Sequence, residues 1–136
     1  MKRIIIFILS FYFGLGSFFS YIVAPILFNT LGKSTAGNVV EKIFPLYFGI
    51  GLGAVFISTL MSVTSKMSAF LNLLLTVNLI VLVALNFNVL PGLQSLPDPS
   101  SSEFLKMHVV STIMSTVSLF FTFGAIVYLI VKNGSP

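Results

Sequence analysis

The spacing of charged residues constrains this chain more than any other sequence feature. Four stretches contain no Asp, Glu, Lys or Arg: residues 4–32, 43–65, 67–97 and 107–131. A helix rises about 1.5 Å per residue, so about 20 apolar residues cross a hydrocarbon core of about 30 Å. Each stretch is therefore long enough to cross a bilayer once, and none is long enough to cross it twice.

Inside a bilayer every backbone N–H and C=O group needs a partner within the protein, so each spanning segment is expected to be a helix. A β-barrel strand would alternate in polarity, whereas residues 79–85 are apolar without interruption. The sequence thus predicts an all-α integral membrane protein with a single domain, 1–136. We expect a four-transmembrane-helix bundle with helices at about 4–30, 43–64, 69–90 and 102–131, the third ending at Pro91 and Gly92.

The composition excludes several other classes of protein. Hydrophobic residues make up 57% of the chain and charged residues 7%, against about 45–50% and about 25% in soluble domains. A soluble globular protein and a disordered chain are both excluded. Seven Lys and Arg residues against three acidic ones are too few for a nucleic-acid-binding face. The predicted partners are the lipid bilayer and another membrane protein subunit or a second copy of the chain.

The first loop contains an amphipathic pattern. Apolar residues recur there at helical spacing, with polar residues between them: Ala36, Val39, Val40 and Ile43. This pattern predicts a short interfacial helix in loop 1, which Pro45 separates from the second spanning helix.

Charges at the ends of the spans indicate their direction. An even number of spans places Lys2, Arg3, Lys66 and Lys132 on one side, and the side richer in Lys and Arg is usually cytoplasmic. We expect both termini in the cytoplasm, in a plasma membrane, or in the inner membrane if the protein is bacterial.

Small and hydroxyl residues mark the expected packing seams, because close approach of backbones and interhelical hydrogen bonds hold helices together in lipid. The positions predicted for helix packing are Gly14, Ser17, Gly49, Gly53, Ser115 and Ser118.

Polar and proline residues gather where the first, second and fourth helices meet at the predicted outer surface. This candidate polar cluster comprises Tyr21, Pro25, Asn29, Pro45, Tyr47, His108 and Ser111. A purely structural role is one interpretation, since Pro25 frees a backbone carbonyl that needs a donor. A binding site around His108, the only histidine, is the other.

The candidate chemistry of His108 is limited by its surroundings. The chain has no cysteine, and one histidine without nearby paired acids makes a poor metal site. Haem ligation by His108 remains an alternative that would need a second axial ligand from another subunit. We therefore predict no metal and no cofactor, and no set of nucleophile, base and acid that would indicate an enzyme.

Three short motifs resemble those of the transmembrane-protein-205-like family, also described as domain of unknown function 4149. Residues 21–31 (YIVAPILFNTL) resemble its V-x-P-x-L-F-x-x-L signature, 43–48 (IFPLYF) its I-F-P-x-Y-F motif, and 104–111 (FLKMHVVS) its F-x-x-x-H-x-x-S motif. The resemblance implies a four-helix membrane protein without an established activity. It also draws attention to Pro25, Phe28, Pro45, Tyr47 and His108, which lie at its motif positions.

The functional prediction is a small non-enzymatic binding protein or accessory subunit that acts through the candidate polar cluster. Two alternatives remain open at this point. One is a transporter or permeation element for a small solute, and the other is a redox subunit that holds haem or quinone at His108.

Overall fold

Four helices account for most of the chain. The computed structural model describes residues 1–96, 98 and 100–132. Helix α1 is Lys2–Leu31, α2 is Lys33–Thr64, α3 is Ala69–Gln94 and α4 is Ser102–Val131. All four are long and apolar enough to cross a membrane, so the predicted all-α fold is confirmed and the chain is a multi-pass membrane protein.

Each helix packs on two neighbours in a square arrangement. Helix α1 contacts α2 and α4, and α3 contacts the same two helices from the other side. Gly32 alone joins α1 to α2, with φ at +75°. Only glycine adopts this backbone conformation at little cost, which is why the chain reverses there.

The prediction of a separate interfacial helix in loop 1 is wrong. Residues 33–44 form the first turns of α2, which continues through Pro45 without interruption. The apolar face of this segment, with Ala36, Val40 and Phe44 buried, packs on the end of α1 instead of lying on a membrane surface. Proline fits the helical φ, and although it removes one hydrogen bond and crowds the preceding turn, the helix continues through Pro45.

Two of the spanning helices contain a π-helical turn followed by proline. In α1 the turn is Phe19–Val23 and the proline is Pro25; in α3 the turn is Leu85–Val89 and the proline is Pro91. The wider turn accommodates a proline ring that would otherwise clash with the carbonyl four residues earlier. Helix α3 therefore runs on past Pro91, where the sequence predicted its end.

The packing glycines lie two residues away from the predicted ones. A Cβ atom added at Gly14, Gly49 or Gly53 would meet no atom within 4 Å, so these three glycines face outward from this chain. Instead, a Cβ at Gly51 would lie 2.5 Å from Cε2 of Tyr12, and one at Gly16 would lie 2.7 Å from Cδ2 of Leu119.

The inner face of α1 is apolar and aromatic. The stripe of small residues on this helix points outward, since such a stripe can equally well face lipid. It carries the buried residues of the helix at spacings of four and three: Ile5, Leu9, Tyr12, Gly16 and Phe19. Ser17, the other position predicted on α1, is half-buried at the edge of this face.

Candidate functional site

A cavity of about 230 Å³ opens among α1, α2 and α4 in the half of the bundle near Gly32. Its inner wall is formed by Phe44, Tyr47 and Phe48 of α2, which are all buried. Pro25 of α1 and Thr112 of α4 stand at its exposed edge. The cavity therefore opens sideways between α1 and α4.

The π turn of α1 explains why there is a gap at this place. The backbone N–H of Ala24 donates to the carbonyl of Phe19, five residues earlier, so the helix is locally widened just before Pro25. Beyond this turn, Ala24–Leu31 packs on α2, whereas Lys2–Phe18 contacts both α2 and α4. The contact with α4 is thus lost along α1, which leaves space between the end of α1 and α4.

Aromatic rings surround the histidine of α4. The ring of His108 lies 5.9 Å from that of Phe44, 6.2 Å from that of Phe104 and 6.4 Å from that of Phe28, measured between centroids. The rings of His108 and Phe44 are stacked, as are those of His108 and Phe104. His108 is thus held by flat apolar surfaces from three helices.

The Nδ1 atom of His108 is buried and has no hydrogen-bond partner among the described residues. A buried polar nitrogen without a partner costs about 1–3 kcal/mol. Neutral imidazole can donate or accept at this nitrogen according to its tautomer. Because this nitrogen is buried, the imidazole ring has to turn toward the cavity before a hydroxyl or carbonyl group of a ligand can pair with it and remove this cost.

Several other polar groups of the cavity already have partners. The hydroxyls of Ser111 and Thr112 donate to the backbone carbonyl of His108 at 2.8 and 2.9 Å. The hydroxyl of Tyr47 lies 3.1 Å from Oγ of Ser115 across the bundle. These hydroxyl groups therefore offer mainly lone pairs to a ligand. Among the described residues that line the cavity, His108 Nδ1 is the buried polar atom without a partner.

A second cavity of about 190 Å³ adjoins the first. The two share Phe28, Val40, Phe44 and His108 in their walls. Lys33 lines the second cavity and gives it a positive charge at the end of the bundle. The walls of both cavities are largely apolar, and Lys33 adds a charge to the second.

The structure brings together four of the seven residues of the candidate polar cluster. Pro25, Tyr47, His108 and Ser111 line the first cavity. The remaining three lie outside it with exposed side chains: Tyr21, Asn29 and Pro45.

Sequence reasoning missed most of the aromatic wall. Phe44 and Phe48 are not among the site residues predicted from the sequence, although Val40, Phe44 and Phe48 follow one another at intervals of four. That spacing places them on one face of a helix. Treating the segment before Pro45 as a separate surface helix concealed the continuity of this face.

The described residues contain no group of three or more His, Cys, Asp or Glu side chains that could hold a metal ion. None of the residues lining either cavity is Asp, Glu or Cys. Within this part of the chain the site is therefore aromatic, with a single imidazole and several hydroxyl groups.

The spanning helices and the cavity between them define a polytopic four-helix membrane protein. The chain belongs to the family described as Domain of unknown function (DUF4149), whose model matches residues 7–98. It is 42% identical over 133 residues to an uncharacterized protein of Aquifex aeolicus (strain VF5), covering 97% of this chain and 98% of that protein. No solved structure matches this chain.

Proposed function

We propose that this protein is a non-enzymatic membrane protein that binds a small amphipathic molecule in the cavity beside His108. One observation supports the proposal above all others: the buried, unpaired Nδ1 of His108 lies in a ring that lines an aromatic cavity. Ligand sites typically combine apolar walls with a few polar groups that orient the ligand. The ligand that fits has an aromatic or similarly flat apolar body and one hydroxyl or carbonyl group.

We also propose that the ligand enters from the lipid. The edge of the cavity is formed by half-buried or exposed residues that lie within the spanning helices: Ser20, Pro25, Thr112 and Thr116. An amphipathic molecule already concentrated in the bilayer could enter between α1 and α4 without crossing water. No metal or haem is part of this proposal, and neither are transport and redox activity.

The finer placement of the protein also belongs to the proposal. Both termini lie in the cytoplasm, because one end of the helices has four Lys and Arg residues and the opposite end has three. The four are Lys2, Arg3, Lys66 and Lys132. The cavity then lies in the outer half of the membrane, a plasma membrane or a bacterial inner membrane. Kinship with the transmembrane-protein-205-like proteins is proposed from the three motifs, of which the one at 104–111 lies beyond the family match.

The test compares two probes that differ in one polar group. 2-Naphthol and 2-methylnaphthalene have nearly the same shape, but only 2-naphthol can hydrogen-bond to Nδ1 of His108. We expect purified protein to bind 2-naphthol more tightly, by about 1 kcal/mol or about fivefold after correction for partitioning into detergent. In a His108→Phe variant, which keeps a ring at this position, the two probes should bind equally.

Tyr21→Phe is the matched control, because it removes a hydroxyl from a side chain that is 64% exposed and lies outside the cavity. It should retain the preference of the unmodified protein. A preference for 2-naphthol that survives in His108→Phe would overturn the proposed role of His108. Failure of both probes to bind would overturn the proposed aromatic ligand site.

A further inference from the structure

A depression lies at the opposite end of the bundle from the first cavity beside His108, which we call the His108 cavity. It has a volume of about 860 Å³ and is bordered by the start of α1, the turn between α2 and α3, and the end of α4. We call it the basic depression, because Lys2, Arg3, Lys66 and Lys132 all line it. None of the described residues lining it is Asp or Glu.

The net charge of the protein is concentrated at this depression. The formal net charge is +4, and four Lys and Arg residues line the basic depression. The remaining lysines, at 33, 42 and 106, are matched in number by three acidic residues at 41, 98 and 103, all nearer the other end of the helices. Four cationic groups around one concave surface create a field that attracts anions.

A hydrogen-bond chain positions one of these cations. The hydroxyl of Tyr128 donates to Oγ of Ser68 at 2.7 Å, and Nζ of Lys132 donates to the Tyr128 hydroxyl at 3.2 Å. The ammonium also lies 5.5 Å from the centroid of the Tyr128 ring. Because an ammonium has three N–H donors, Lys132 retains donors for a ligand beyond its bond to Tyr128.

Lys66 occupies a left-handed backbone position at the end of α2 that normally favours glycine. It has φ of +49° in the turn that ends α2, where the N–H of Met67 donates to the carbonyl of Ser62 and that of Lys66 to Val63, both at 3.0 Å. Helices that end in this way usually have glycine at this position, because a Cβ is disfavoured in the left-handed conformation. The chain thus keeps a lysine at the basic depression in spite of its conformational cost.

We propose that the basic depression binds a phosphate group, with the phospholipid headgroup and soluble phosphate as its two sources. Phosphate oxygens accept charge-assisted hydrogen bonds from Lys and Arg. The depression also has apolar surface, contributed by Met67, Leu71 and Leu129, which suits the glycerol and first methylene groups of an anionic phospholipid.

The experiment uses the purified full chain in detergent micelles, with phosphatidylglycerol and phosphatidylcholine added in equal amounts. Native mass spectrometry counts the lipids that remain bound. We expect phosphatidylglycerol to be retained about tenfold more than phosphatidylcholine, as befits several cations near one headgroup. In a parallel arm, inorganic phosphate is compared with chloride at equal ionic strength by its effect on the melting temperature.

Two double variants with the same loss of charge separate a binding site from general attraction. Lys66→Gln with Lys132→Gln should abolish the preference for phosphatidylglycerol, whereas Lys33→Gln with Lys106→Gln should leave it unchanged. Stabilisation by inorganic phosphate without retention of phosphatidylglycerol would support the site with soluble phosphate as its source. Equal losses in the two double variants, or no preference for either anion in the unmodified protein, would overturn the proposal.

Lys66→Gly guards against a variant that merely fails to fold. Glycine suits the left-handed conformation, so this variant should melt at a higher temperature in the absence of anions and yet bind phosphatidylglycerol less well. A rise in melting temperature with unchanged lipid preference would contradict a role of Lys66 in binding.

Discussion

Tyr12 and Tyr47 place their hydroxyl groups inside the bundle, where each is hydrogen-bonded to a serine of α4. Tyr12 pairs with Ser118 and Tyr47 with Ser115, both at 3.1 Å, and the two rings lie 6.5 Å apart. A hydroxyl buried in an apolar environment needs a partner. These two bonds therefore favour one rotation of α1 and of α2 about their axes, with the tyrosines turned toward α4.

Removing the hydroxyl of Tyr12 tests the strength of this arrangement. Tyr12→Phe should lower the free energy of unfolding by about 0.5–1.5 kcal/mol, the range of interhelical hydrogen bonds in membranes. Titration of the protein with sodium dodecyl sulfate in mixed micelles measures the change. Tyr21→Phe, at an exposed position, should have no measurable effect, and an equal loss in both variants would contradict this interpretation.

Gly51 and Gly53 form a matched pair on α2. A Cβ at Gly51 would lie 2.5 Å from the ring of Tyr12, whereas one at Gly53 would meet nothing within 4 Å. We expect Gly51→Ala to destabilise the bundle by about 1–3 kcal/mol through overpacking. Gly53→Ala should be neutral or should stabilise it by up to about 1 kcal/mol, because alanine favours the helix. Similar effects in the same unfolding assay would show that the Gly51 contact is not tight.

At the scale of the helix, three prolines have different consequences. Pro25 and Pro91 each follow a π turn, but Pro45 lies in an unbroken α-helix near the start of α2. Only after the first of these, at Pro25, does the helix lose its contact with a neighbour, α4, and the cavity lies at that place. The π turn of α1 therefore connects a local backbone feature to the candidate ligand site.

Replacing Pro25 should remove the need for that turn. In Pro25→Ala the new N–H can donate to the Tyr21 carbonyl, restoring α-helical geometry and rotating the end of α1 by about 100°. Phe28, whose ring is 6.4 Å from that of His108, would then leave the cavity wall. Disulfide formation between Phe28→Cys and His108→Cys should fall in the Pro25→Ala background. It should persist in the Pro45→Ala background, and persistence in both would contradict the role given to the π turn.

The turn before α4 is predicted to respond to acid. Oδ1 of Asp98 accepts from the hydroxyl and the backbone N–H of Ser100, at 2.7 and 2.9 Å. These bonds lower the pKa of the Asp98 carboxyl below its usual 3.8. The stabilisation is present above the unfolded pKa and is lost as the pH falls through the lower folded pKa.

Nuclear magnetic resonance can follow that titration directly. The Ser100 amide shift should change with a midpoint below pH 3.8, and Asp98→Asn should abolish the change. A midpoint at or above the usual value for aspartate would mean that the carboxylate does not form these bonds in solution.

Helix α4 itself is capped by Ser101, whose Oγ accepts from the N–H of Phe104 at 3.2 Å.

At the scale of the whole molecule, the two ends of the bundle differ in charge and in shape. The basic depression has four cationic side chains. The opposite end has the His108 cavity and the second cavity, which Lys33 lines. Such asymmetry orients a protein during membrane insertion. The same charges thus serve the proposed orientation and the proposed phosphate site.

Cysteine labelling tests the orientation, because the chain has no cysteine of its own. Lys66→Cys places one thiol at the basic depression, and Ser95→Cys places one at the other end. In intact cells a membrane-impermeant maleimide should label only Ser95→Cys, and Lys66→Cys should react after permeabilisation. The reverse pattern would overturn the proposed topology and would place the His108 cavity in the inner half of the membrane.

Much of the architecture could be predicted from the sequence, because charges and unpaired backbone groups are too costly inside a bilayer. The four spans follow from that cost. The polar stripe of α4 could also be recognised, since Ser111, Ser115 and Ser118 are buried as its spacing indicates.

Tertiary structure alone decided which face of each other helix turns inward. In lipid, both an apolar face and a small-residue face can point outward without a penalty, so hydropathy does not distinguish Tyr12 from Gly14 as the inner residue of α1. The π turn before Pro25 likewise depends on how α1 packs on α2 and α4. For these reasons the sequence located His108 and Tyr47 near one another, but only the packed bundle placed them around an aromatic cavity with an unpaired nitrogen.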